Sequence, residues 1–536
     1  MVSSADPLKK AAPEEVLSGT GIGIAHKSRD WETILVAALY LCVCLLVQWI
    51  SHASEAAFGS YPDEPAHYVG GLLIRDYLAS GFHQSPLAFA QSYYQHMPYF
   101  AVGYWPPLFY CIEAVWVLLF GSTRAALLWL TAGFAAGSAW LIFHAVRREA
   151  GTVAGILGGL LFLAIPEVQR ELCTVMVDLP VTFLTLSATV FAVRYLSSGA
   201  WKDSIGFGVL AAAACLAKYS AAYVCLVPFW GILVLRRWRW LRSATFWAQG
   251  AFVLALVAPW AIWTAHLAST GLPPAHVSIF IKLAKTILAF ARMLPWPIWM
   301  VVAAGLAGWV WRPARWRETG VAFAIHVIAL MGLLSLAPVD PERRYFAPAA
   351  AAILVAGLSG FRWLTPHFGR AVLTAALCLS VVVTFGQSLR ARPRLRADNF
   401  RSAVDQVIAQ PRWRGAGILV ADDVEGPMIA EFAMLDPRRP GYRLIRPGKV
   451  LSRDDWFGNG YKPLFQNAGE VETALARLHV RVVILRATPG AHPRPHDVLL
   501  RQAITTQPKV WRLVFDGGSE KSSYDVFETY PQGLSQ

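Results

Sequence analysis

Apolar runs of about 16–23 residues, the length that crosses roughly 30 Å of hydrocarbon, recur along most of this chain. They occupy 31–50, 106–120, 124–146, 151–166, 179–197, 204–218, 219–235, 244–266, 295–311, 319–338, 345–364 and 371–389. In lipid each backbone amide must be bonded within its own segment, so such a series folds as packed helices. The 536 residues are 56% hydrophobic and 15% charged. Soluble proteins average about 45–50% and about 25%. The expected architecture is therefore mostly α: a polytopic membrane helical bundle of about 11–13 spans.

Composition changes near residue 390. Strand-like runs appear at 417–420, 480–485, 510–515 and 524–529, with helical patterns at 400–409 and 470–478 between them. This predicts a soluble C-terminal α/β domain over 390–536 behind a membrane domain of 31–389. Residues 1–30 read as a disordered, polar N-terminal tail. Lys27 and Arg29 before the first apolar run resemble a signal peptide, but the many later spans favour an uncleaved first helix. Two long polar gaps, 51–105 and 267–294, interrupt the bundle. The second contains 278–293, whose pattern fits a helix lying in the interface plane or an ordinary surface helix. There is no internal repeat and no Gly-rich phosphate loop.

The formal net charge of +14 does not point to nucleic acid. Arg and Trp cluster in short loops at 236–242 and 312–317, which read as cytoplasmic under the positive-inside rule. That places 267–294, Asp340–Arg344 and the C-terminal domain outside, together with Asp178. Asp63 also counts as outside from the N-terminus, yet three apolar blocks separate it from Asp178 where an even number is needed. The count closes if 106–120, short and carrying Glu113, does not cross fully. Six of the seven cysteines lie inside apolar blocks and Cys173 lies beside one, with no CxxC and no metal spacing.

Against this apolar background a few charges stand out. Asp63 and Glu64 open the first polar gap within Tyr61-Pro62-Asp63-Glu64-Pro65-Ala66-His67. A carboxylate there can serve as a general base, or simply as the acidic start of a helix. Asp178 stands at the lip of an apolar block, where an ionisable group costs about 2.5–3.5 kcal/mol to insert. It is either functional or the cap of the helix that follows. Lys218 and the Arg343–Arg344 pair put positive charge on the outer side, against the usual bias. A phosphate at the membrane surface would explain them, as would interfacial snorkelling for Lys218. Arg170 and Glu171 carry weaker claims.

Five motifs occur in a telling order: Asp63-Glu64, Pro106-Pro107-Leu108-Phe109-Tyr110, Asp178-Leu179-Pro180, Ala217-Lys218-Tyr219, and Arg344-Tyr345 with Pro348. In this order they resemble the GT-C superfamily of polyprenyl-phosphate-sugar-dependent glycosyltransferases. The branches most similar are the lipid A aminoarabinose transferases, protein O-mannosyltransferases and lipopolysaccharide-core galacturonosyltransferases. The resemblance covers about residues 30–390 and leaves the C-terminal domain unnamed. It implies Asp63 as the catalytic base, Glu64 as its support and Asp178 as a second essential acid. Trp105 departs from the family, which often has Lys or His there against donor phosphate. Lys218, Arg343 and Arg344 would take over that contact, and His67, Trp105, Arg170 and Tyr345 complete the expected substrate-binding set.

The implied function is transfer of a sugar, a hexose or pentose, from a polyprenyl-phosphate donor to an extracytoplasmic lipid, glycan or protein of the cell envelope. A single displacement predicts inversion at the anomeric carbon. No cofactor is required by the pattern, although the acidic residues leave room for a divalent cation. The expected location is a bacterial-type inner membrane, with the active site and C-terminal domain facing the periplasm. A multi-pass transporter or flippase of lipid-linked saccharides is the alternative from another class, and a non-catalytic scaffold is a third.

Overall fold

The computed structural model describes residues 22–269, 278–311, 317–338, 340–391, 395–396, 400–421, 425–436, 439–454, 460–488, 493–518 and 523–530. Most of the expected N-terminal tail, the basic residues 312–316 and part of the second polar gap lie outside these. From Ile22 the backbone is already helical and runs unbroken to Ile50, because no proline or glycine interrupts it after Gly23. Helix therefore replaces disorder over 22–30.

The twelve apolar blocks do not map one to one onto spans. Among the described residues six helices are long and apolar enough to cross a membrane, or up to nine if each bent pair is one span. This makes the chain a multi-pass membrane protein. Three of these segments are bent, and shorter apolar helices at Leu108–Phe120 and Tyr219–Val234 fall below that length. The segment Thr152–Leu163 turns by 70° into Pro166–Leu172 at a proline, and Ile279–Met293 turns by 107° into the helix starting at Trp296. The helix Leu108–Phe120 has 13 residues. At 1.5 Å per residue it spans about 20 Å, short of the hydrocarbon thickness.

The bundle core forms around Arg124–Ala150, Asp178–Ser198, Glu318–Leu336 and Ala347–Ser359. Packing between apolar helices in lipid relies on close backbone approach. The alanine run Ala349–Ala352 is wholly buried for this reason. The helix Trp296–Trp311 meets Ala347–Ser359 glycine to glycine: a Cβ at Gly305 would overlap the Gly357 carbonyl, and one at Gly360 would overlap the Gly305 carbonyl.

Beyond residue 400 lies a five-stranded sheet ordered β2-β1-β5-β7-β6. Its strands are β1 (Gly417–Val420), β2 (Arg443–Ile445), β5 (Val480–Arg486), β6 (Trp511–Phe515) and β7 (Tyr524–Thr529), with β3 (Ser452–Arg453) and β4 (Lys462–Pro463) forming a separate pair. β1 pairs in parallel with both β2 and β5, and β7 runs antiparallel between β5 and β6. One face of the sheet, Ile418, Val420, Val482 and Ile484, joins a core shared with Phe58, Tyr68, Tyr93 and Met97 of the first polar gap. The opposite face, Leu419, Val483 and Leu485, packs under Ala468–Arg477 and Pro495–Thr505.

Gly305→Ala should therefore loosen the helix that carries the 343–346 turn, by about 1–3 kcal/mol. Gly250→Ala, where an added Cβ meets nothing within 4 Å, serves as the neutral control. Thermal unfolding of the two variants in detergent measures the difference.

Candidate functional site

Four chain segments end at the same end of the bundle, and each contributes one charged side chain. Asp63 occupies the N-cap of Glu64–Ala79, but its side chain makes no capping bond. Its carboxylate accepts instead from Arg344 Nη2 at 2.8 Å. Asp178 is the first residue of Asp178–Ser198 and likewise does not cap it. Lys218 follows Trp201–Ala217 in an extended conformation, φ −155° and ψ 127°, which turns its side chain out of the helix. Its ammonium reaches Asp178 Oδ1 at 2.7 Å. Arg344 lies in the 3₁₀ turn Arg343–Phe346.

Aromatic rings join these two ion pairs. Lys218 Nζ sits 4.3 Å from the Tyr345 ring centroid, and the Arg344 guanidinium lies 5.1 Å from the same ring. On its other side Arg344 is 4.9 Å from the Tyr61 ring, which Arg170 also covers at 4.2 Å. Contacts of this kind contribute about 0.5–2 kcal/mol each, more when shielded from water. Asp63 and Asp178, far apart in sequence, thus belong to one continuous network. Arg344 also pairs through Nε with Glu342 at 2.9 Å, and its Nη1 faces the Met176 sulfur at 3.9 Å. Asp178 Oδ2 is buried without a hydrogen-bond partner among the described residues.

Glu64 faces elsewhere. It is fully buried, 2.5 Å from Arg124 Nη1, and accepts from the amides of Gly59, Ser60 and Val175. Those bonds use the carboxylate completely in holding the loop. His67 lies one turn after Asp63, with Nδ1 2.9 Å from the Tyr110 hydroxyl and its ring 5.0 Å from that of Trp105. Burial lowers its pKa to about 4, with Arg344 and Lys218 adding to the shift, so the imidazole is neutral at ordinary pH. Arg170 donates to the Ser60 carbonyl at 3.2 Å. Arg343 is exposed.

Next to Trp105 and Tyr110 opens an apolar cavity of ≈ 570 Å³, also lined by Tyr77, Phe89, Phe100 and Trp263. Its size and lining suit a lipid tail or another apolar group. No group of three or more His, Cys, Asp or Glu side chains that could hold a metal occurs among the described residues.

The network thus brings together Asp63, Asp178, Lys218, Arg344 and Tyr345, with His67, Trp105 and Arg170 bordering it. It leaves Glu64 and Arg343 out. Tyr61, Met176 and Glu342 also take part; tyrosine and methionine in loops are too ordinary to single out in a sequence, whereas Glu342 stands beside the arginine pair as a local partner for its charge. The placing of Tyr61 immediately before Pro62-Asp63-Glu64 is the one signal that could have found it.

Residues 105–263 match the dolichyl-phosphate-mannose-protein mannosyltransferase family. That segment includes Asp178 and Lys218 but neither Asp63 nor Arg344. No curated protein sequence matches the chain. Among solved structures the fold is similar to ArnT from Cupriavidus metallidurans in the apo state, with TM-score 0.59, 15% identity, and coverage of 91% of this chain and 97% of that one. The same protein bound to undecaprenyl phosphate matches with TM-score 0.55, 15% identity and the same coverage. The archaeal oligosaccharyltransferase AglB from Archaeoglobus fulgidus, in complex with an inhibitory peptide and a dolichol-phosphate, matches with TM-score 0.54 and 12% identity over 84% of this chain and 69% of its own.

Two outcomes separate the neighbouring carboxylates and the histidine. Glu64→Ala strands the buried Arg124 charge and should cost about 3–5 kcal/mol, whereas Asp63→Asn should cost no more than about 1 kcal/mol, as for a partly exposed pair. Thermal unfolding of each full-length variant decides this. His67 is held at about 4 against an ordinary 6.5, so its contribution is fully present above pH 6.5 and is lost as pH falls towards 4. Over that window wild type should lose stability relative to His67→Gln, as read from paired melting curves.

Proposed function

We propose that this chain, which has the fold of the GT-C glycosyltransferases ArnT and AglB, transfers a sugar from a polyprenyl-phosphate donor to an acceptor at the membrane surface. The observation that carries the reading is the joining of two features. One is an ion-pair network of two carboxylates, a guanidinium and an ammonium. The other is an apolar, aromatic-lined cavity whose wall includes Trp105 and Tyr110, both in contact with His67. A donor with an anionic phosphate between a sugar and an isoprenoid needs both environments side by side.

In this reading Asp63 accepts the proton of the acceptor's hydroxyl or amine as its heteroatom attacks the anomeric carbon. The bond from that carbon to the phosphate oxygen breaks, and its electron pair leaves with the polyprenyl phosphate. Arg344 and Lys218 lie where the leaving phosphate's charge would be met. The fixed cations need little reorganisation, since Tyr61 and Tyr345 hold them in place. A single displacement inverts the anomeric centre. Asp178 orients Lys218, and Trp105 gives the isoprenoid or sugar a flat apolar wall. Glu64 keeps the loop in register.

In this reading the site and the C-terminal region face the extracytoplasmic side of an inner membrane. Arg147, Arg148, Arg236, Arg237, Arg239 and Arg242 gather at the opposite end of the bundle, which supports a cytoplasmic assignment for that end. The acceptor belongs to the cell envelope, as a lipid, glycan or protein. The sheet region beside the first polar loop would help select it.

Asp63→Asn should lower turnover by about 10²–10⁴-fold with the fold intact. Arg344→Lys should weaken donor use by about tenfold, since charge is kept and the planar fork is lost. Product formation from a polyprenyl-phosphate sugar, followed by mass spectrometry with the purified full-length protein, tests both. Unchanged turnover in both variants rules the reading out and leaves transport of lipid-linked saccharides in its place.

A further inference from the structure

Arg344 is engaged by two partly exposed carboxylates, Asp63 at Nη2 and Glu342 chiefly at Nε. Its own side chain is 5% exposed and lies against the rings of Tyr61 and Tyr345. The 3₁₀ turn that carries it leads directly into the buried helix Ala347–Ser359. The guanidinium is therefore the fixed partner. Asp63, in contrast, is 26% exposed and stands at a helix N-cap to which its side chain is not bonded. A rotation about χ1 can carry its carboxylate off Arg344 into water without disturbing the backbone. Glu342 is 51% exposed.

The other ion pair offers no such exchange. Asp178 is 3% exposed and leads a packed helix, so separating it from Lys218 would leave a buried charge without a partner. Arg344 also has hydrogen-bonding capacity in reserve, since Nη1 faces only the soft Met176 sulfur at 3.9 Å among the contacts of the described residues. Nη2 serves Asp63 at 2.8 Å and reaches Glu342 and the Tyr345 hydroxyl at 3.4 Å each, while Nε pairs with Glu342. The edge suited to bidentate capture of a phosphate is therefore Nη1–Nη2, with Asp63 on one corner and only sulfur at the other.

We propose that Asp63 and the donor phosphate are alternative anions for the same edge of Arg344, so that donor binding releases Asp63 to receive the acceptor's proton. This rests on the function proposed above and adds an order to it: donor first, acceptor second. A carboxylate relieved of its guanidinium partner has its bound oxygen freed to meet the acceptor's hydrogen. The base is thus unmasked by the substrate whose chemistry needs it, and an acceptor arriving first meets a carboxylate already engaged. Competition of this kind is reciprocal: whatever free energy Asp63 gains from Arg344 opposes phosphate binding by the same amount.

The competition makes a distinctive prediction. A carboxylate that only repels the phosphate through space raises donor affinity on neutralisation alike with Arg or Lys at position 344. A competitor for the guanidinium edge raises it only with Arg. Full-length protein in detergent, titrated with undecaprenyl phosphate as the probe, should bind at least about fivefold more tightly as Asp63→Asn than as wild type, while turnover is lost. Adding Asp63→Asn to Arg344→Lys should give a much smaller gain, because the shared edge is gone. Equal or weaker binding by Asp63→Asn overturns the proposal and leaves the glycosyltransferase reading standing. So does tightening seen with Glu342→Gln and not with Asp63→Asn, which would make Glu342 the displaced anion. If neither wild type nor any variant binds the probe, each giving a cooperative melt, the proposal and the reading beneath it fail together.

Discussion

The buried pair between Glu64 and Arg124 is the interaction on which the geometry of the charged network depends. Arg124 donates to the carbonyls of Ala53 and Cys173 at 3.0 and 3.1 Å, and Phe58 covers its guanidinium at 4.9 Å. Glu64 collects the amides of Gly59, Ser60 and Val175. One ion pair thus ties the loop before Asp63, the start of a bundle helix and the segment leading to Asp178. A buried pair gains little net stability over an apolar substitute, but removing one partner is severe. What it supplies here is register: it brings two distant stretches of chain to the same end of the bundle.

Around that fixed frame the site concentrates charge without letting it collapse into uniform ion pairs. Tyr61 lies between Arg170 and Arg344, and Tyr345 between Arg344 and Lys218. A ring face attracts each cation while keeping neighbouring cations apart. Carboxylates then hold only part of each cation's donor set. The result is a cationic surface of defined shape with hydrogen-bonding capacity left over, next to an apolar hollow.

Much of this was legible in the sequence because membrane depth makes charge conspicuous. Asp178, Lys218 and Arg344 stand out against apolar neighbours, and they meet in the structure. Adjacent carboxylates are harder to separate. Asp63 and Glu64 are chemically alike, yet consecutive helical positions differ by about 100° in direction, so one faces Arg344 and the other Arg124. Only the fold shows which is which. The strands at 417–420 and 524–529 matched because alternation or a continuous apolar run marks a strand locally. β2, with three residues, is too short to leave such a mark. Hydropathy marks the apolar segments that meet at Pro166 and Pro295 but not the turns of 70° and 107° that the chain makes there.

The core shared by the first polar loop and the C-terminal sheet has a consequence for how the molecule is made. Phe58, Tyr68 and Tyr93 are made long before Phe400, Trp413, Val482 and Tyr524, which share their core. Contacts of such sequence separation form late, and the apolar faces that await them are exposed meanwhile. The membrane helices can insert one after another, but the loop bearing Asp63 acquires its full packing only after the sheet strands up to Val526 have been made. Ribosome stalling or truncation in the last third would therefore damage the N-terminal loop first, far from the lesion in sequence and next to it in space.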